Sequence, residues 1–163
     1  MARTPSTMLA LGTPAPGFAL PDFDGAMHAL GDFDSSPALI VAFICNHCPF
    51  VRHIRDEFAR KAQAWRKRGV AVVAINSNDL VAYPQDGPDA MREEARSLGY
   101  DFPYLLDERQ SVARAYRAAC TPDFFLFDGS RRLVYRGQFD DSRPGDGRPV
   151  SGSDLQAAVD AVL

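Results

Sequence analysis

The sequence lacks several features that would direct it to particular partners. No apolar run approaches the roughly 20 residues needed to cross a bilayer. Positive charge is not in excess, because 18 lysines and arginines stand against 21 acidic residues, a formal net charge of −3. Neither nucleic acid nor a membrane is therefore expected as a partner. Residues 1–16 contain no apolar signal-peptide core, so we expect a protein of the cytoplasm.

Cysteine is also scarce, with three residues among 163. That number is too small for the disulfide framework of a secreted scaffold, and in a reducing compartment cysteines are more often reactive or metal-binding. Internal repeats, low-complexity tracts and long linkers are absent as well. The length then fits a single domain over residues 1–163.

Strands and turns are indicated by apolar runs and Asp-Gly pairs. Asp24-Gly25 separates two short apolar segments and predicts a hairpin near the N-terminus. Asp128-Gly129 predicts a second antiparallel pair between residues 124–127 and 132–136. The nearly continuous apolar runs 37–43 and 70–75 are typical of strands buried on both faces in a parallel sheet.

Four helices are predicted. The first has an apolar stripe at three- and four-residue steps and ends at Gly69; the stripe comprises Val51, Ile54, Phe58, Ala62 and Trp65. The second runs from Pro88 to about Leu98, the third from Gln110 to Ala119, and the last to Leu163. Ser153 and Gln156 are predicted to form a capping box for that last helix. The order predicts an α/β fold, a mixed central sheet flanked by helices with an N-terminal β-hairpin extension.

The segment CNHCP, residues 45–49, lies between a predicted strand and a predicted helix. Pro49 suits the first helical position, because the N–H that it lacks would be unpaired there. Cys48 then occupies the N-cap, where free N–H groups and the helix dipole favour a thiolate. Cys45, in the preceding loop, is close enough to attack a mixed disulfide on Cys48.

Other interpretations of these residues stay open. Both cysteines could be small buried core residues. His47 could tune Cys48 as a neighbouring partial cation, or be an exposed loop residue. For zinc the candidates are Cys45, Cys48, His47 and the more distant Cys120 or His53. Since no second C-x-x-C motif supplies further ligands, neither a metal site nor another cofactor is expected.

A second segment, Cys120-Thr121-Pro122, precedes the apolar run 124–127. Taken alone, Pro122 is interpreted as an ordinary trans proline that opens a strand. Cys120 alone is interpreted as a buried thiol.

Three motifs together resemble one family. They are GTPAPGF at residues 12–18, CNHCP at 45–49 and CTPDF at 120–124. Over about residues 10–163 the chain is similar to the thioredoxin-fold, peroxiredoxin-like family (AhpC/TSA, redoxin), within it to an uncharacterised subgroup with the CNHCP motif. The resemblance implies a thioredoxin-like fold with a cis bond between Thr121 and Pro122.

The resemblance also implies roles for the site residues. Cys48-Pro49 matches the reacting Cys-Pro of the peroxiredoxins, and the cis-proline turn would bring Cys120 near Cys45 and Cys48. Two departures argue against fast peroxide chemistry. The family's Thr or Ser position is occupied by Cys45, and its active-site arginine is missing from the strand that begins after Pro122.

We therefore expect a thiol–disulfide oxidoreductase in which Cys48 attacks and Cys45 resolves, with Cys120 as a possible third thiol. Protein disulfides or dithiols and a thioredoxin-type reductant are the expected partners. The alternatives are a weak thiol peroxidase that forms a sulfenic acid on Cys48, and a non-enzymatic redox-sensing or metal-binding module.

Overall fold

The structure, a computed structural model, describes residues 9–118 and 120–163. It begins with the predicted hairpin, in which β1 (Ala19–Pro21) pairs antiparallel with β2 (Met27–Ala29). The Asp22 carboxylate accepts the backbone N–H groups of Asp24 and Ala26 and so closes the turn. Residues 1–8, the first half of the segment without a signal-peptide core, lie outside the described part.

Five further strands and four α-helices follow. The strands are β3 (Leu39–Phe43), β4 (Ala71–Asn76), β5 (Tyr104–Leu106), β6 (Asp123–Phe127) and β7 (Leu133–Gly137). The helices are α1 (Pro49–Lys67), α2 (Pro88–Leu98), α3 (Ser111–Tyr116) and α4 (Ser153–Val162). Two short 3₁₀ segments, Leu30–Phe33 and Pro84–Asp86, complete the elements. Among the described residues, none of the helices combines the length and apolar character needed to cross a bilayer.

The central sheet is mixed, as predicted, in the order β5-β4-β3-β6-β7. Strand β3 pairs parallel with β4 and antiparallel with β6. Every residue of β3 and β6 is buried, which explains why both sequences are apolar apart from Asp123 at the start of β6. One face of the sheet packs against α1 and α4, and the other packs against α3 and the N-terminal segment.

Strand β5 was missing from the predicted elements. It has only three residues, all buried, and pairs parallel with the end of β4. An apolar run of that length has no periodicity to separate it from a loop, so only the edge of β4 defines it as a strand. The predicted third helix is confirmed but ends at Tyr116, because Arg117 adopts a left-handed conformation with φ 55°. Ala119, its predicted end, lies outside the described residues.

The capping box predicted for the last helix is wrong, although the helix itself is confirmed. Gly152, with φ 66°, is the N-cap, and Ser153 is already helical. The Gln156 side chain accepts instead from the Trp65 indole N–H at 2.9 Å and from Lys61 at 3.1 Å. A tertiary contact with α1 has thus replaced the local cap.

Candidate active site

Cys48 is the N-cap of α1 and Pro49 is its first residue, as predicted. Strand β3 ends at Phe43, so the loop that carries the two cysteines leaves the middle of the sheet and enters the helix directly. The Cys48 residue is fully buried, and its Sγ donates to the Thr121 carbonyl at 3.5 Å. The turn from strand to helix thus fixes this sulfur beside the start of α1.

The pKa of Cys48 is lowered to about 5. The largest cause is a hydrogen bond from Cys45, and hydrogen bonds from the Thr121 side chain and from the backbone N–H groups of Val51 and Phe50 add to it. Burial acts in the opposite direction but is outweighed. Cys48 is therefore the sulfur that this site stabilises as a thiolate.

Cys45 has the opposite electrostatics. Its pKa is raised well above the ordinary value because it donates to Cys48, because it is buried, and because the negative charge of Asp86 is nearby. Its Sγ lies 3.7 Å from the Thr121 hydroxyl. Both cysteines are reduced in the structure. The pair thus consists of one acidic thiol and one thiol that retains its proton.

The Thr121–Pro122 peptide bond is cis, as the resemblance implied. Thr121 contacts both sulfurs, through its hydroxyl for Cys45 and its carbonyl for Cys48. Cys120, the preceding residue, is half-buried, and its Sγ lies 3.9 Å from the Pro122 carbonyl. The cis-proline turn thus packs against the CNHCP loop, while a role for Cys120 as a third thiol stays a prediction.

The sequence analysis missed Asp86, the carboxylate that holds the cysteine loop in place. It is fully buried, and its Oδ1 accepts the backbone N–H groups of Asn46 at 2.7 Å and His47 at 3.2 Å. Its Oδ2 is bonded to His47 Nδ1 and to Asn78 Nδ2. Asp86 lies some forty positions away in a polar connection, where the sequence does not distinguish it from solvated aspartates.

His47 is held in place and is not a freely solvated loop residue. Its ring stacks on Tyr83, with centroids 4.2 Å apart and planes 9° from parallel, and its side chain is 15% exposed. The neighbouring Asn46 is buried, and its side chain accepts from the Tyr104 hydroxyl at 2.9 Å. The CNHCP loop is therefore fixed by polar contacts with three other segments.

Three side chains could hold a metal ion. Donor atoms of Cys45, His47 and Asp86 all lie within 4.8 Å of one another. His53, a zinc candidate from the sequence, bonds Ser142 at 2.9 Å instead, and Cys120 is not part of the cluster.

The arginine that peroxiredoxins would place near this site is absent from β6, as predicted. Arg136 on β7 is buried, donates to the Asp123 carboxylate at 3.0 Å and lies over the Phe125 ring. Phe125 belongs to the core on the face of the sheet opposite the cysteines. The Arg136 guanidinium is therefore bound to Asp123 and does not serve as the peroxiredoxin arginine beside Cys48.

The chain is similar to several known proteins. It is 27% identical over 130 residues to the thiol-disulfide oxidoreductase ResA of Geobacillus thermodenitrificans, a match that covers 80% of this chain and 70% of that protein. The crystal structure of a hypothetical protein from Sinorhizobium meliloti 1021 superposes with a TM-score of 0.96 at 56% identity, covering 98% of this chain and 87% of the other.

A thioredoxin-family thiol:disulfide interchange protein from Chlorobium tepidum superposes with a TM-score of 0.71 at 20% identity, covering 95% and 99% of the two chains. That likeness confirms the thioredoxin-like fold. Residues 11–136, most of the chain, match the model of the AhpC/TSA family. The family suggested by the three sequence motifs is therefore confirmed, and the chain belongs to the AhpC/TSA family.

Proposed function

We propose that the protein is a thiol–disulfide oxidoreductase that uses Cys48 as its nucleophile and Cys45 as its resolving thiol. The observation that carries the proposal is the position of Cys48, at the N-cap of α1 with Cys45 donating to it. A sulfur in that position is stabilised as the thiolate, the form that attacks disulfides. The activity named for the ResA relative supports the same chemistry.

The reaction takes two exchange steps. The Cys48 thiolate attacks one sulfur of a substrate disulfide, the substrate S–S bond breaks, and the departing sulfur takes up a proton. Cys45 then gives up its proton and attacks Cys48, which releases the second substrate thiol. The substrate gains two electrons, and a Cys45–Cys48 disulfide remains for a dithiol reductant to reduce.

The opposite pKa shifts of the two cysteines suit this order of events. A protonated Cys45 does not compete with Cys48 for the substrate, and its hydrogen bond is the largest contribution to the low pKa of Cys48. Once Cys48 is bound in a mixed disulfide its negative charge is gone, so one cause of the raised Cys45 pKa disappears. Attack by Cys45 thus becomes easier when it is needed.

The proposed approach of a substrate to Cys48 is over the surface beside the helix start. The residue is buried, but Pro49 and Phe50 line an open cleft whose other wall is the loop of residues 141–148. Protein disulfides or dithiols are the proposed substrates, with a thioredoxin-type protein as the reductant and the cytoplasm as the compartment.

Trapping of mixed disulfides tests the assignment of roles. A Cys45→Ser variant should accumulate a covalent adduct with a model protein disulfide, because the second step is blocked. The matched Cys48→Ser variant should form none, and Cys120→Ser should turn over without a stable adduct. Adducts on Cys45 in the Cys48→Ser protein, at the rate of the wild type, would reverse the assignment.

A weak thiol peroxidase is the second proposed function, because the family model that the chain matches is that of AhpC/TSA. In that reaction Cys48 would attack peroxide, the O–O bond would break, and a sulfenic acid would form with release of water. Peroxide consumption by the purified protein, with a dithiol reductant supplied, separates the two functions.

A further inference from the structure

We propose that Cys45, His47 and Asp86 form a binding site for a Zn²⁺ ion in the reduced protein. The three side chains bring a sulfur, a nitrogen and an oxygen atom together, all within 4.8 Å of one another. The disulfide-exchange scheme needs at most one base to take the proton from Cys45, and the Asp86 carboxylate alone would serve. The imidazole of His47 beside that carboxylate and thiol is the part of the cluster that the scheme does not require.

The mixture of donor atoms selects the kind of ion. Zinc takes cysteine sulfur, histidine nitrogen and aspartate oxygen, usually with tetrahedral geometry. Magnesium and calcium prefer oxygen alone, and monovalent copper prefers sulfur ligands. Three protein ligands of mixed type therefore favour Zn²⁺, with the fourth coordination position left open.

The ligands are already held by their surroundings. Asp86 is fully buried and fixed by the backbone N–H groups of Asn46 and His47 and by the side chain of Asn78. His47 is fixed by its stacking on Tyr83. Such supporting contacts orient the first ligands and are typically worth 10–100-fold in metal affinity. To take up an ion, the site therefore has to open one contact, the hydrogen bond between His47 and Asp86, while the other supporting contacts can stay in place.

Binding has a defined proton balance. Cys45 releases its thiol proton to solvent and binds as the thiolate. The contact between His47 Nδ1 and the Asp86 carboxylate opens, and the imidazole binds through Nδ1 with its remaining proton on Nε2. If the proposed function is correct, the bound ion also blocks Cys45, so the zinc-loaded protein would be a resting form that cannot resolve a mixed disulfide.

The test uses the full-length protein, reduced and freed of metal. Titration with Co²⁺, a spectroscopic substitute for Zn²⁺, should produce a thiolate-to-metal charge-transfer band that saturates at one ion per chain and disappears when Zn²⁺ is added. Cys45→Ser should lose the band, whereas Cys48→Ser and Cys120→Ser should retain it. His47→Gln and Asp86→Asn should weaken Zn²⁺ binding by at least about 10-fold.

Two results would contradict the proposed zinc site. One is a band that survives in Cys45→Ser or vanishes in Cys48→Ser, because the sulfur ligand would then be the wrong one. The other is Zn²⁺ binding equal to the wild type in both His47→Gln and Asp86→Asn, with native circular dichroism. If the metal-free protein exchanges disulfides but binds no ion, the zinc site is wrong and the proposed function stands. If it binds the ion but does not exchange disulfides, the proposed function is wrong and the zinc site stands.

Discussion

Two buried aspartates each organise a loop by accepting backbone N–H groups, yet only one of them faces reactive groups. Asp86 holds the N–H groups of Asn46 and His47 in the cysteine loop. Asp140 holds those of Ser142, Ser151 and Gly152 at the base of the loop that precedes α4. The same arrangement, a buried carboxylate that accepts backbone N–H groups, thus supports a candidate active site in one region and a structural turn in the other.

The difference lies in the second carboxylate oxygen. In Asp86 that oxygen meets an imidazole and a side-chain amide, whereas in Asp140 it meets two more backbone N–H groups. Backbone groups cannot be substituted or titrated, and the Ser142 hydroxyl that also donates to Asp140 does not ionise, so Asp140 is a fixed anchor. Side chains can exchange protons or bind an ion. Asp86 therefore both holds the cysteine loop in position and contacts a side chain, His47, that can take part in its chemistry.

The largest expected effect concerns the acidity of the cysteines. In metal-free wild type, Cys48 should be alkylated with an apparent pKa of about 5, far below the usual value of about 8.5 for a free cysteine. In Cys45→Ala, which leaves no donor at that position, this pKa should rise, because the hydrogen bond from Cys45 is its largest cause. Alkylation rate against pH, with the modified residue identified by mass spectrometry, measures both. A faster reaction at Cys45 in the wild type at neutral pH would contradict the assignment.

The second prediction exchanges the two aspartates for asparagine. Asp140→Asn can keep the N–H groups of Ser151 and Gly152 on its oxygen but turns an amide NH₂ against the N–H of Ser142. One buried N–H is then unpaired, so we expect a loss of about 1–3 kcal/mol in the free energy of unfolding. Asp86→Asn can keep both backbone bonds on its oxygen and donate to His47 Nδ1. The Asn78 amide must turn its oxygen toward the new NH₂ to stay paired, and with that rotation the loss should be about 1 kcal/mol.

Urea denaturation of the two variants measures that difference in the free energy of unfolding. Alkylation rates against pH then measure whether each variant changes the pKa of Cys45. In a Cys48→Ser background, Asp86→Asn should lower the pKa of Cys45, since the Asp86 charge is one of its causes. Asp140→Asn should leave it unchanged. Equal losses of stability, or equal effects on Cys45, would mean that the two aspartates do not differ as described.

Local sequence signals predicted much of this architecture. The Asp-Gly turns, the apolar runs and the Cys48-Pro49 helix start are each determined by residues adjacent in the chain, so the hairpins, β3 and α1 could be predicted. The cis bond at Pro122 required the family resemblance, because the local residues favoured trans. Strand β5, the use of Gln156 and the role of Asp86 depend on partners distant in sequence, and no local pattern reports them.

The third prediction is a modest pH effect at Asp140. Burial tends to raise the pKa of Asp140, but hydrogen bonds from the Ser142 hydroxyl and from the backbone N–H groups of Gly152, Ser151 and Ser142 lower it on balance. A lowered folded pKa stabilises the protein above the unfolded value of about 3.9, and that stability is lost as the pH falls through the folded pKa. The gap in unfolding free energy between wild type and Asp140→Asn should therefore narrow below about pH 4. A gap that stays constant down to pH 2 would contradict this account.

The smallest expected effect is on peroxide. Peroxide reduction needs donors that stabilise the leaving oxygen, and one lost donor can cost about 10²–10³ in rate. Here the family's hydroxyl position is occupied by Cys45, and Arg136 is engaged by Asp123 on the other face of the sheet. Restoring one donor in Cys45→Thr leaves the arginine missing, so wild type and variant should consume hydrogen peroxide at similar, slow rates.

Stopped-flow turnover of hydrogen peroxide, with a thioredoxin-type reductant supplied, makes that comparison, and Cys48→Ser sets the background. Disulfide exchange measured on the same samples should be readily detectable in the wild type and absent in Cys48→Ser, because it requires only a thiolate with a neighbouring thiol. Rapid, saturable peroxide turnover that is lost in Cys48→Ser would instead mean that the CNHCP loop stabilises the leaving oxygen without those two donors. The bonding of His47 and Asp86 would then need to be re-examined for that role, and the peroxidase would replace the oxidoreductase as the proposed function.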